Sequence, residues 1–250
     1  MKMRMKKLIL TTAAFALTSM FSACASENTA DKESGTQGCD VFEECGDTEV
    51  HTVKDFRTAY ESLNGTLSSS GDEIRSVFLP EEPAFVPTAD KTVLGKILNG
   101  DTFWLYIGDE MCPWCRSVIE TAARTAAEAG VHEIRYIEIW DEDGSEIFRD
   151  QYIAEDGKAV KSIEGTVTYA WMISKWADVL EDYTLNSGDS IIETGEKRIY
   201  VPAFFYIEHG NLKGYTTGIS PKQETSDSEL TEEILADETE MFRQLFDTGE

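Results

Sequence analysis

The residues of this chain best suited to chemistry form a Cys-Pro-Trp-Cys at 112–115. Two thiols separated by two residues can close a disulfide, open one on another molecule, or supply half of a metal site. The flanks decide among these. Ahead of the pair, Phe103 to Ile107 is an apolar, aromatic-rich run bounded by Gly108, which predicts a strand. After it, Arg116 to Ala129 has helical periodicity and is stopped by Gly130. Cys112 then falls at a helix N-cap, where unpaired N–H groups and the positive end of the helix dipole stabilise a thiolate. Pro113 falls at the first helical position, where its missing N–H costs nothing. Cys115 stands one turn on and can reach back. This arrangement suits dithiol redox chemistry, with Cys112 as the exposed nucleophile and Cys115 as the buried resolving thiol. A structural zinc would need a second Cys or His pair, and His51, His132 and His209 are scattered singly, so no metal is expected. An inert disulfide is the plain alternative.

The rest of the composition sets the compartment. The 250 residues are 41 % hydrophobic and 10 % aromatic, as in a globular protein. The formal charge is −25, which argues against nucleic-acid binding and against attraction to anionic lipid. The basic MKMRMKK, an apolar run from Leu8 to about Met20, and Phe21-Ser22-Ala23-Cys24 read as an export signal over residues 1–23. Small residues before a cysteine resemble the lipobox of bacterial lipoproteins, which implies lipid attachment at Cys24 and an extracytoplasmic, membrane-anchored protein. An ordinary secretory signal cut after Ala23 or Ala25 is the alternative. Residues 24–50 are polar and read as a flexible tether. They contain Cys39 and Cys45, either a second redox pair or a local staple.

Residues 51–73 read as an N-terminal extension with a helix over Val53 to Leu63, stopped by Asn64-Gly65, and then a Ser/Gly loop. The domain proper is placed at 74–250. Ile74 to Leu79 alternates and predicts a strand, whereas Pro80, Pro83 and Pro87 exclude regular structure until Thr88 caps a helix over Ala89 to Leu98. After the CxxC helix, Glu133 to Trp140 alternates and predicts a strand beside the first. Asp141 to Ser145 lacks the glycine and glutamate spacing of a calcium loop and reads as a solvated turn. A helix is expected over Val167 to Leu180 and a polar surface loop over Asn186 to Lys197. A strand led by Val201-Pro202 then turns at His209-Gly210-Asn211 into Leu212 to Thr217, and an amphipathic helix over about Glu229 to Phe246 closes the chain.

This order resembles the thioredoxin-like superfamily from about Ile74 to the C-terminus, on two motifs: strand–CPWC–helix, and Val201-Pro202 opening the hairpin. The resemblance implies an α/β fold of three layers around a central mixed sheet, here with an N-terminal helical extension. It implies that Pro202 is cis and opposite the CxxC, that Val201 and Pro202 present backbone to a bound peptide, and that Trp114 shields the pair. The exported lead, YESLNG and CPWCR are also similar to lipoproteins of low-GC Gram-positive bacteria labelled thioredoxin-like or bacteriocin-transport accessory proteins. Two positions depart from the family. Tyr106 stands where thioredoxins keep a buried aspartate, and Glu120 stands where many have a helix-kinking proline.

The function so implied is a membrane-tethered thiol–disulfide oxidoreductase needing no cofactor, acting as reductant or isomerase on disulfides of exported proteins and served by a membrane redox partner. The alternatives are a non-catalytic accessory that binds an exported peptide, and a thiolate metal-handling protein.

Overall fold

The computed structural model describes residues 55–248, apart from 142 and 189. Contacts divide the chain into Met1–Glu49 and Val50–Glu250, and the structure described belongs to the second unit. The signal segment, Cys24, the tether with Cys39 and Cys45, and the start of the extension lie outside the described residues.

The sequence lays down β1 (Phe85–Pro87), β2 (Phe103–Gly108), β3 (Ile134–Glu138), β8 (Ala203–Glu208) and β9 (Asn211–Thr216) as one five-stranded sheet in the order β1-β3-β2-β8-β9. β3 is parallel to β1 and β2, whereas β8 is antiparallel to β2 and β9 to β8. The result is an α/β fold on a mixed sheet. Alternation sends successive side chains to opposite faces. Tyr106, Tyr136, Phe204 and Tyr206 lie in one core with α1 (Phe56–Glu61), α3 (Pro113–Glu128) and α5 (Glu232–Asp247). Phe103, Leu105, Ile107, Phe205 and Ile207 lie in the other with α2 (Asp90–Leu98) and α4 (Val167–Trp176). Helices therefore cover both faces of the sheet. Two small hairpins, β4 (Gln151–Glu155) with β5 (Lys158–Ile163) and β6 (Glu181–Ser187) with β7 (Ser190–Arg198), complete the fold.

Four expectations need correction. Ile74 to Leu79 is no strand: Ile74, Val77 and Leu79 are buried, but the N–H groups of Val77, Phe78 and Leu79 donate to the side chains of Asn64, Glu120 and Glu61. Regular structure begins before Thr88. Pro87 ends β1, an edge strand, where a missing ladder donor is tolerated. Thr88 does not cap α2; Ala89 holds that position, and the Thr88 hydroxyl donates to Val86 O at 2.7 Å. Asn186 to Lys197 is not a loop but most of the β6–β7 hairpin, whose mostly exposed side chains hide the alternation that betrays a half-buried strand. The 141–145 turn is as expected, closed on Asp141 Oδ1, which accepts from the N–H groups of Asp143 and Ser145.

Candidate active site

β2 delivers the chain to a short loop, and α3 starts immediately after it. Cys112 is the N-cap of α3, with extended backbone, and its sulfur accepts the Cys115 N–H at 3.3 Å. Pro113 holds the first helical position and is exposed; Trp114 is half-buried. Cys115 is completely buried, and both cysteines are free thiols. The Val201–Pro202 peptide is cis, Pro202 is buried, and the Cys112 thiol donates to Val201 O at 3.8 Å. Thus residues 89 positions apart in sequence meet at the sulfur of Cys112. Cys24, Cys39 and Cys45 lie outside the described residues.

The environment separates the two thiols. The Cys115 thiol, donating to the Cys112 sulfur, holds the Cys112 pKa below its ordinary value. Burial opposes this, and the backbone N–H groups of Cys115 and Trp114 add to it. The pKa of Cys115 is pushed well up, first by burial and then by Cys112. One half-buried thiol is thereby shifted toward the thiolate, and the other is shifted toward the protonated form behind it.

Several residues that the sequence reading did not assign support this pair. Arg116, only 2 % exposed, donates to Arg75 O, Tyr60 O and Glu110 O and to Asn64 Oδ1, at 2.6–3.1 Å. It ties α3 to α1 and to the segment at 75 through neutral acceptors. The departure at 106 also has content. Tyr106 is fully buried, and its hydroxyl is 2.7 Å from that of Tyr60. Glu120, at the other departure, accepts the Phe78 N–H from an α3 that runs unbroken to Glu128. The signals for these roles were an arginine beside the apolar stripe of α3 and a tyrosine in the central strand; neither names its partner.

Beside the pair, Asp109, Glu110 and Glu138 bring one carboxylate oxygen each within 4.8 Å of one another. Burial, and then the charge of Glu110, push the pKa of Asp109 up to about 6. Compared with known proteins, the chain matches no family model and no curated sequence.

Proposed function

We propose that this chain is a thiol–disulfide oxidoreductase of thioredoxin-like fold, using Cys112 and Cys115 as its working dithiol. The observation that carries the reading is the pair itself: at one helix start, the half-exposed thiol has its pKa lowered and the buried one has its pKa raised. Nucleophile and resolving thiol need that division. The strand–CPWC–helix order and the cis Val201–Pro202 beside Cys112 support the thioredoxin-like assignment.

Cys112 attacks a substrate disulfide as thiolate, forming a mixed disulfide and releasing one substrate thiol. Cys115 then attacks the Cys112 sulfur, closing the Cys112–Cys115 disulfide and releasing the second thiol. Val201 offers its carbonyl, and Trp114 its ring, to the peptide held at Cys112. We further propose that lipid at Cys24 tethers the domain to the extracytoplasmic face of the cell membrane. There it serves as reductant or isomerase for exported proteins, and a membrane redox partner renews the dithiol. No helix among the described residues is long and apolar enough to cross a membrane.

The test is the reduction potential of Cys112–Cys115 equilibrated against glutathione, together with turnover of a disulfide-bonded protein. A potential near about −270 mV marks a reductant, and one near about −120 mV marks a disulfide donor. Cys112→Ser is expected to reduce turnover to background, and Cys115→Ser to trap the mixed disulfide. A pair that glutathione and stronger dithiols never reduce would overturn the reading.

A further inference from the structure

The Val201 carbonyl that meets the Cys112 thiol stands in a turn, residues 199–202, between β7 and β8. That turn is held from outside by a buried ion pair that the exchange steps above do not use. Glu146 and Arg149 are 7 % and 6 % exposed. Glu146 Oε2 accepts from Arg149 Nε at 3.0 Å and from Arg149 Nη2 at 2.8 Å. Its Oε1 accepts the N–H groups of Arg149 at 2.9 Å and of Phe148 at 3.4 Å. These bonds satisfy the carboxylate and fix the plane of the guanidinium, whose remaining nitrogen, Nη1, donates to Ile199 O at 3.3 Å. Arg198 returns the contact, its Nη1 donating to Asp150 O at 2.8 Å. Among the described residues, Arg149 and Cys112 are the only ones whose side chains hydrogen-bond the main chain of the turn.

The same segment is tied to the strand that leads into the cysteines. The Ile147 N–H donates to Ile139 O at 3.0 Å, and the Ile139 N–H donates to Gly108 O, at the end of β2, at 3.2 Å. Phe148 is buried against Tyr169 of α4. Gly165 lies so close to the segment that a Cβ there would fall 2.7 Å from Phe148 O. Residues 146–150 therefore have little room to shift, and they join the end of β2 to the turn that carries Val201. A buried ion pair contributes little net stability, because the desolvation of two charges offsets their attraction. What the pair supplies here is direction, a guanidinium nitrogen aimed at one carbonyl.

We propose that Arg149, oriented by Glu146, is a positioning residue for polypeptide substrates. By holding Ile199 O it keeps the Val201 carbonyl, two residues on, beside the Cys112 sulfur. This rests on the exchange reading of Cys112–Cys115. The pair makes and breaks no bond to sulfur, and the thiol chemistry stays with the cysteines. A small disulfide needs only the Cys112 thiolate, whereas a polypeptide must also lie along the Val201 backbone. Loss of the Arg149 contact therefore affects the second class of substrate and spares the first.

The experiment uses the full chain with Cys24→Ser, Cys39→Ser and Cys45→Ser, so that one pair reacts. It compares two substrates: insulin, with dithiothreitol as reductant, and the disulfide of thionitrobenzoate. Arg149→Lys keeps a cation for Glu146 but lacks the nitrogen that reaches Ile199. It is expected to raise KM for insulin about tenfold and to leave kcat within about twofold, as loss of docking requires. Its rate with the small disulfide, and its alkylation at Cys112 against pH, should superimpose on those of the unsubstituted chain. The double variant Glu146→Gln, Arg149→Met removes both charges and leaves no buried ion unpaired. It should show the same rise in KM whatever its urea midpoint, which a merely structural pair would not. An insulin KM unchanged in both variants, or equal losses on the two substrates with Arg149→Lys, would overturn the positioning role alone. An unsubstituted chain that reduces neither substrate would overturn the exchange reading beneath it.

Discussion

The two faces of the central sheet are built from the same strands and do different work. Toward α2 and α4, the strands send Phe103, Leu105, Ile107, Phe205 and Ile207 into a cluster that holds Tyr169 and has Tyr215 packed against it. Toward α1, α3 and α5, the same strands send Tyr106, Tyr136 and Tyr206 into a cluster that also holds Tyr60. Cys115, Arg116 and Glu238 are buried on the elements covering that face. Apolar burial stabilises at little risk, whereas each buried polar group must find a partner or change its protonation. The second face accepts that cost. Burial pushes the pKa of Cys115 and of Tyr60 well up and that of Glu238 up to about 7. Burial also raises the pKa of Tyr169 and Tyr215 and lowers that of Arg198 at the first cluster, so what sets the second face apart is that its shifted groups surround a pair of thiols.

Substitutions on the two faces should therefore differ in kind. The largest loss is expected from Arg116→Met, which leaves Arg75 O and Glu110 O without the Arg116 donor and takes one of two donors from Tyr60 O and Asn64 Oδ1, which keep the N–H groups of Leu63 and Val77. About 4 kcal/mol of stability should go, read as a lowered urea midpoint. The alkylation rate of Cys112 should change as well, because Arg116 holds Glu110 and Tyr60 against the start of α3. Leu105→Ala on the other face removes a fully buried side chain and should cost about 3 kcal/mol. There the Cys112 alkylation rate and the Cys112–Cys115 potential should stay at their unsubstituted values. If Leu105→Ala moved the potential as far as Arg116→Met does, the division between the faces would fail.

The readable part of this molecule is the part whose causes are local. An apolar run, a glycine, a cysteine at the N-cap and a proline after it announce β2, the loop and α3 from neighbouring residues. Alternation misled in both directions. In Ile74 to Leu79 it reports burial, yet the backbone donors go to Asn64, Glu120 and Glu61 and not to a strand. In β6 and β7 two strands pair with most side chains in water, so no alternation is required. The deepest parts of the site had no local signal. Tyr60 meets Tyr106 across 46 positions, and Arg116 reaches Tyr60 O across 56. A tyrosine in a strand and an arginine in a helix have many ordinary uses, and only the fold selects among them.

A smaller effect tests whether the active-site face carries an electrostatic cost. Asp109 is 4 % exposed, and its carboxyl is pushed from the ordinary 3.8 up to about 6, first by burial and then by Glu110. The Met111 N–H, donating to Asp109 Oδ1 at 2.7 Å, only partly offsets this. A carboxyl with a raised folded-state pKa binds its proton more tightly in the folded chain than in the unfolded one. Its penalty is therefore absent below about pH 4, grows as pH rises toward 6 and is complete above that. The side-chain amide of an Asp109→Asn variant stays neutral throughout and keeps an acceptor for the Met111 N–H. The variant should match the unsubstituted chain near pH 4 and exceed it by about 2 kcal/mol above pH 7, measured by urea unfolding across that range. The charge of Asp109 also raises the pKa of Cys112, so the variant should alkylate faster at Cys112 at neutral pH. A stability difference independent of pH would mean that Asp109 ionises normally and that this face gives up less stability for its chemistry than its burial requires.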